Sequence, residues 1–281
     1  MNLLQALVLG VLQGTTEFLP VSSSGHLVLV PWLLGWPPSG LAFDTMVHWG
    51  TAVAVVIYFW RDWVTLVRAA FGAASHTIEC WLHGTPASQL PADARLAGLV
   101  LLGTVPAAIA GYLLDDFFER MFARPAAAAA FLLVTAILLA LSEWLSRRQR
   151  DLDSLTWLDG LLIGLAQALA ILPGISRSGA TIAAGLARGI KRQPAARFSF
   201  LLATPIILGA GGLKLIDLLQ AGTMAAQAPT LVVGFVGACV VGLGCIHFLL
   251  RYLQRGRLYP FAIYCAVAGS FCLVAALVGL R

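Results

Sequence analysis

Two short stretches of this sequence carry the residue types that handle phosphate. The first reads Gln13-Gly-Thr-Thr-Glu17-Phe-Leu-Pro20-Val-Ser22-Ser23-Ser24-Gly25-His26, and the second Leu172-Pro173-Gly174-Ile175-Ser176-Arg177-Ser178-Gly179-Ala180-Thr181. Gln13 and Glu17 are four apart, so a helix sets them on one face about a turn from each other. Pro20 ends that helix, because it donates no backbone hydrogen bond and disfavours helical geometry at the residue before it. Ser22, Ser23, Ser24 and Gly25 then open a second short helix, with hydroxyls and free N–H groups at the positive end of its dipole. The second stretch repeats the proline stop and the hydroxyl-rich start, with Arg177 where the first has Ser23. A guanidinium is a permanently charged planar fork that matches phosphate oxygens. Together the two stretches supply a carboxylate, a histidine, an arginine, several hydroxyls and two helix N-termini, a set suited to a phosphate or diphosphate.

A structural reading of the same residues competes. Glu17 could serve only as partner to Arg177, the small residues could be helix-packing positions, and His26 could be a buried neutral spacer. Ionisable residues within apolar segments are costly and mark function, which favours chemistry for Glu17 and Arg177. Gln13 cannot act as a base and is read as a positioning residue. Asp44 and His48, four apart, either line the same cavity or reflect helix capping by Asp44. His76 and His83 are read as loop residues, Asp115, Asp116 and Glu119 as a solvated helix end, and His247 as a core or interfacial histidine.

The elements that must position these residues follow from composition. Of 281 residues, 59% are hydrophobic and 11% charged, and mean hydropathy is +0.87. Soluble domains run at roughly 45–50% apolar and about 25% charged, so lipid is the solvent here; a soluble, disordered or nucleic-acid-binding protein is excluded. The five cysteines have no CxxC spacing and imply neither a disulfide framework nor a metal site. The first residues lack a basic n-region, so no cleaved signal peptide is expected.

Six apolar stretches are long enough to cross a bilayer as helices: Phe43 to Trp60, Leu96 to Leu114, Ala126 to Leu145, Phe198 to Leu215, Thr230 to Leu250 and Phe261 to Leu280. Two others, Leu3 to Leu34 and Leu155 to Ala187, are interrupted by the polar stretches above. These two resemble each other: Gly10, Gln13, Ser22, Ser24, Gly25 and Gly35 recur as Gly164, Gln167, Ser176, Ser178, Gly179 and Gly189, all at an offset of 154. The expected fold is an all-α polytopic membrane protein, one domain over 1–281, with six transmembrane helices and two broken re-entrant hairpins. It is built from two units, about 1–150 and 155–281, in inverted topology, with the site where the breaks meet.

Charge sets the expected orientation. Arg61, Arg68, Arg95, Arg147, Arg148, Arg150, Arg188, Lys191, Arg192, Arg197, Arg251, Arg255 and Arg257 fall in one set of connections; Arg120, Arg124, Lys214 and Arg281 fall in the other. The first set is cytoplasmic by the positive-inside rule, which puts both termini and the opening of the first hairpin outside. Topology thus accounts for the net charge of +5 without a polyanionic partner.

The Gln13 to His26 stretch with Pro173-Gly-Ile-Ser-Arg-Ser-Gly179, supported by Phe43-Asp-Thr-Met-Val-His-Trp-Gly-Thr51 and Thr104-Val-Pro106, resembles the undecaprenyl-diphosphatase family, the bacitracin-resistance phosphatases of bacterial inner membranes. The resemblance covers essentially the whole chain. It implies an enzyme that hydrolyses undecaprenyl diphosphate to undecaprenyl phosphate, recycling the lipid carrier for cell-wall synthesis and conferring bacitracin resistance. It also implies that Glu17, Ser23, His26 and Arg177 are catalytic, with Gln13, Ser22, Ser24, Gly25, Ser176, Ser178 and Thr181 around the phosphates. A divalent cation, magnesium or calcium, is implied as a helper with Glu17 as a ligand; Gln13 departs from the fully acidic form of the motif and weakens that site. A homodimer is compatible with the family.

On this reading Ser23 attacks the terminal phosphorus while Glu17 or His26 takes its proton, and Arg177 with the helix N-termini stabilises the equatorial oxygens. Water attack with Glu17 as base, and Ser23 only a ligand, is the alternative. A lipid tail needs a lateral opening, for which the Gly209 to Gly212 region is a candidate. The inverted plan also suits a flippase or carrier of an anionic polyprenyl phosphate. A lipid phosphatase of the acid-phosphatase type also has Ser-Gly-His and Ser-Arg segments, but it needs a further downstream His with an Asp after it, and no match follows Arg177.

Overall fold

The computed structural model describes residues 1–83, 90–220 and 224–279. Among the described residues all regular structure is helical: twelve α-helices, one 3₁₀ turn and no strand beyond an isolated bridge between Arg150 and Ile190. The chain runs through α1 (Leu3–Phe18), α2 (Ser23–Leu34), α3 (Leu41–Tyr58), α4 (Trp60–His83), α5 (Ala92–Leu113) and α6 (Asp115–Phe122). It continues through α7 (Pro125–Leu145), α8 (Trp157–Leu169), α9 (Arg177–Ala187), α10 (Arg192–Gln220), α11 (Met224–Tyr252) and α12 (Tyr259–Leu277). Six of these, α3, α5, α7, α10, α11 and α12, are long and apolar enough to cross a bilayer, and each overlaps one of the six stretches read from hydropathy. The molecule is a multi-pass membrane protein. Its outer surface is accordingly apolar: Leu101, Ile137, Val267 and Phe271 are all about 60% exposed, which water would penalise and lipid does not.

The two interrupted stretches fold as two pairs of short helices, α1 with α2 and α8 with α9. Their local determinants match at the offset of 154. Asn2 and Gln5 form a capping box at the start of α1, and Thr156 and Asp159 form one at the start of α8. Each box satisfies two of the N–H groups that a helix start leaves open. In both pairs a serine caps the second helix: Ser22 Oγ accepts from Gly25 N at 3.2 Å and Ser176 Oγ from Gly179 N at 3.0 Å. Leu19, ahead of Pro20, is extended (φ −63°, ψ 139°), as the proline ring requires.

Small residues let these pairs seat deeply against the spans. A Cβ on Gly10 would lie 2.5 Å from the Gly234 carbonyl oxygen of α11, and one on Gly164 would lie 2.5 Å from the Gly103 carbonyl oxygen of α5. Close backbone approach through small residues is the usual glue where helix association has no hydrophobic driving force. α1 thus packs on a span from the second half of the chain and α8 on a span from the first. The largest core cluster joins both halves through Phe18, Phe59 and Phe200, with the Phe18 and Phe200 rings edge to face at 5.4 Å.

Ion pairs bind the connections. Asp159, fully buried, accepts from Arg150 Nη2 and Arg188 Nε, each at 2.6 Å; the hydrogen bond to Asp159 pushes the Arg150 guanidinium further above its ordinary value. Arg197 pairs with Asp62. Two expectations are corrected. His76 and His83 lie within α4 and not in a loop. Asp44 does not cap α3: Gly40 holds that position, and Asp44 sits in the first turn, accepting from Ser39 Oγ at 2.6 Å.

Candidate active site

The two breaks meet. A Cβ on Gly25 would stand 3.0 Å from Gly174 Cα, and Ser178 Oγ donates to the Leu19 carbonyl oxygen at 3.2 Å. Gly174 has φ +101° and room for no side chain, since a Cβ would fall 2.1 Å from the Ala128 carbonyl oxygen, so only glycine fits this turn. Ser22 holds φ +71° without being glycine. Backbone of that kind costs energy and persists only when its surroundings impose it.

Glu17 is the centre of the cluster. It lies on the last turn of α1, 6% exposed, and accepts from three side chains: Gln13 Nε2 at 3.0 Å, Ser23 Oγ, and Arg177 Nη2. Gln13 comes from the same helix face one turn earlier, Ser23 from the first turn of α2, and Arg177 from the first turn of α9. His48 of α3 stands beside them, its Nε2 3.9 Å from Glu17 Oε2 and its Nδ1 2.7 Å from the Asp44 carbonyl oxygen. Among the described residues, two buried atoms here have no hydrogen-bond partner: Arg177 Nη1 and Gln13 Oε1. A buried guanidinium N–H left unpaired is expensive, so this nitrogen is positioned for an acceptor that the protein itself does not supply.

The remaining expected residues surround this centre in different ways. Ser22 and Ser24 hydroxyls are 3.3 Å apart, Ser176 and Ser178 hydroxyls 3.2 Å. Thr181 turns inward, bonding Arg177 O at 2.8 Å and Ser199 Oγ at 2.6 Å. His26 is buried but occupied elsewhere: its Nδ1 lies 2.7 Å from the Ser22 carbonyl oxygen and its Nε2 2.7 Å from the Tyr264 hydroxyl. Its ring therefore braces the turn at Ser22, while Ser23 is bonded to Glu17.

Two residues that sequence reasoning did not single out hold the site. Thr135 of α7 accepts from Ser176 N and donates to Gly174 O, both at 2.9 Å, pinning the second break on either side of Ile175. Tyr264 of α12 fixes His26 and stacks on it with ring centroids 5.7 Å apart.

The profile of a family described as "Bacitracin resistance protein BacA" matches residues 6–271, which include both breaks and all six spans but for the end of the last. The chain belongs to the BacA family. Relatives of this BacA-family chain include an undecaprenyl-diphosphatase of Pelobacter propionicus, 44% identical over 281 residues that cover 100% of this chain and 99% of that one. An undecaprenyl-diphosphatase of Nitrosococcus oceani is 44% identical over 270 residues, 96% and 97% of the two chains. Undecaprenyl-diphosphatase 2 of Stutzerimonas stutzeri is 45% identical over 277 residues, 98% of each.

Proposed function

We propose that this BacA-family protein hydrolyses undecaprenyl diphosphate to undecaprenyl phosphate and inorganic phosphate, returning the lipid carrier to cell-wall synthesis and thereby opposing bacitracin. The observation that carries the reading is the convergence on Glu17 of a serine hydroxyl from one break and an arginine from the other. Its relatives' names point to the same substrate over the full length of the chain. Membrane-embedded helices suit a polyprenyl tail, and the Gly209 to Gly212 stretch of α10 is the proposed side for its entry.

In the proposed mechanism Ser23 Oγ attacks the terminal phosphorus, Glu17 takes its proton, and undecaprenyl phosphate leaves. Glu17 is the base because Ser23 Oγ already donates to it, whereas both His26 nitrogens face other partners. Arg177 swings one fork arm from Glu17 to the phosphate while Nη1 meets a second oxygen, so charge developing on the equatorial oxygens is neutralised. The N-termini of α2 and α9 add their dipoles. Glu17 passes the serine's proton to the departing undecaprenyl phosphate oxygen; water then attacks the phosphoserine, with Glu17 accepting its proton and returning it to Ser23 Oγ as inorganic phosphate leaves.

A divalent cation, magnesium or calcium, belongs to the proposal as a charge neutraliser for the diphosphate. The unpartnered Oε1 of Gln13 and the Glu17 carboxylate are the oxygen donors that fit it. The set is thin: among the described residues no three His, Cys, Asp or Glu side chains gather as a metal site.

We read the two helix pairs as re-entrant hairpins opening one unit each of an inverted repeat, about 1–150 and 155–281. The paired capping boxes, serine caps and glycine contacts at the 154-residue offset support it. The protein then resides in the bacterial inner membrane with its termini and active-site opening periplasmic. Alkaline phosphatase fused at the C-terminus is expected to be active; a fusion that works only in the cytosol contradicts the orientation.

The experiment that separates enzyme from carrier uses purified protein and undecaprenyl diphosphate in detergent, with no membrane gradient. Release of inorganic phosphate supports hydrolysis. Lipid binding without release supports a carrier and contradicts the proposal.

A further inference from the structure

A second concentration of charge lies away from Glu17. Where the C-terminal end of α7 approaches the start of α12, a cleft of about 610 Å³ is bordered by Arg147, Arg148, Arg192, Arg255 and Arg257 around Glu143. Glu143 is 3% exposed and already satisfied: Arg148 Nη1 donates to it at 2.8 Å, Arg192 donates to both oxygens, and Leu258 N donates at 3.3 Å. Arg147, Arg255 and Arg257 line the same cleft with no carboxylate partner among the described residues, leaving a surplus of four positive charges.

Topology alone does not require this arrangement. The positive-inside rule asks for arginines in the connections on one side, and it asks nothing about their gathering in one hollow. Here the connection after α7, the first residue of α10 and the connection between α11 and α12 all send guanidiniums to one hollow built on a buried carboxylate. Planar forks of this kind select phosphate oxygens.

The surroundings say which phosphate. Trp144, 73% exposed, and Tyr259 border the cleft, and such aromatics sit at headgroup depth. Leu141, Trp144 and Leu145 follow one another at helical spacing on a single face of α7, which ends at Leu145 with Arg147 and Arg148 in the connection just beyond, and Leu141 and Leu145 are 46% and 64% exposed. That face runs from bare apolar helix into the arginine cluster, the path that acyl chains and an attached headgroup would follow. Basic pockets at the ends of membrane helices bind anionic headgroups in this way.

We propose that this cleft is a binding site for an anionic phospholipid of the phosphatidylglycerol type, taken from the leaflet that meets this end of α7 and α12. The shared chemistry is a phosphate anion, for which bilayer lipid and free phosphate are two sources; the apolar face leading into the cleft favours the lipid. The site is independent of the hydrolytic centre and of the role assigned there to Arg177.

The test is equilibrium binding of radiolabelled phosphatidylglycerol to the full-length purified protein in mixed detergent micelles. Unlabelled phosphatidylglycerol, phosphatidylcholine of the same chains, and inorganic phosphate serve as competitors. Only unlabelled phosphatidylglycerol is expected to displace the label. The double variant Arg255→Gln/Arg257→Gln, in exposed positions, is expected to bind roughly thirtyfold more weakly. Arg255→Lys/Arg257→Lys keeps most of the affinity, and Arg61→Gln/Arg68→Gln, which removes the same charge outside the cleft, keeps it all. Equal binding by the two glutamine double variants overturns the site. Displacement by inorganic phosphate at concentrations matching the unlabelled lipid overturns the lipid assignment.

Discussion

Arg177 Nη2 donates to Glu17 Oε1 across 160 positions of sequence, tying one broken helix pair to the other. The pair is half engaged: Arg177 uses one fork arm and keeps Nη1 buried and unpartnered, while Glu17 also receives Ser23 and Gln13. Arginine–carboxylate pairs are frequently bidentate, as Arg192 with Glu143 and Arg150 with Asp159 are in this molecule. Arg177→Lys preserves the charge and loses the fork, so kcat is expected to fall roughly 10²-fold in phosphate-release assays. Arg177→Ala also leaves Glu17 buried and unpaired, which costs about 3 kcal/mol of stability and lowers the melting temperature in detergent. Unchanged turnover in the lysine variant contradicts the assigned role.

Ser23 is the atom to trap. Substrate labelled at the terminal phosphate, quenched in acid during turnover, is expected to leave label on Ser23, and Ser23→Ala is expected to abolish both the label and roughly 10³-fold of the rate. If water attacks directly, no phosphoserine forms and Ser23→Ala keeps most of its activity.

Much of this site was readable from the sequence because lipid makes polar residues conspicuous. Glu17 and Arg177 stand out in segments whose one other acidic or basic residue is Asp159, in the first turn of α8, and Pro20 and Pro173 mark where helices must stop. The match of Asn2 and Gln5 with Thr156 and Asp159 is not legible in the sequence because the paired residues differ in type; only the shared capping geometry reveals it. Thr135 and Tyr264 were not legible either. A threonine inside a long apolar helix, or a tyrosine near the end of the chain, gives no local sign that it reaches a break more than 35 residues away. His48 had a spacing that drew attention to Asp44, yet its approach to Glu17 depends on how α3 packs beside α1.

Ser22 offers a test of the strained turn. Its Oγ caps α2, but its φ of +71° suits glycine. Ser22→Gly exchanges the cap, worth a few tenths of a kcal/mol against glycine, for relief of about 1 kcal/mol of strain. Ser22→Ala loses the cap and keeps the strain. The glycine variant is therefore expected to melt at a higher temperature than the alanine variant; the reverse order would show that the turn is not under strain.

Thr135→Val keeps the shape of the side chain and removes the acceptor for Ser176 N and the donor to Gly174 O. Two buried groups lose their partner, so about 2 kcal/mol of stability is expected to go. Arg177, one residue beyond Ser176, loses its register with Glu17, and kcat falls with little change in KM. A variant as stable and active as the parent would remove Thr135 from the account.

The central claim is that Glu17 is the base on which the two breaks converge for phosphate-ester chemistry. Glu17→Gln retains size and one accepting oxygen, exchanges the other for an amide NH2 that cannot take a proton, and removes the charge, so its rate of inorganic phosphate release from undecaprenyl diphosphate in detergent is the most direct measurement. The expected result is a loss of roughly 10³-fold with lipid binding retained. Release at the parent rate would contradict the account.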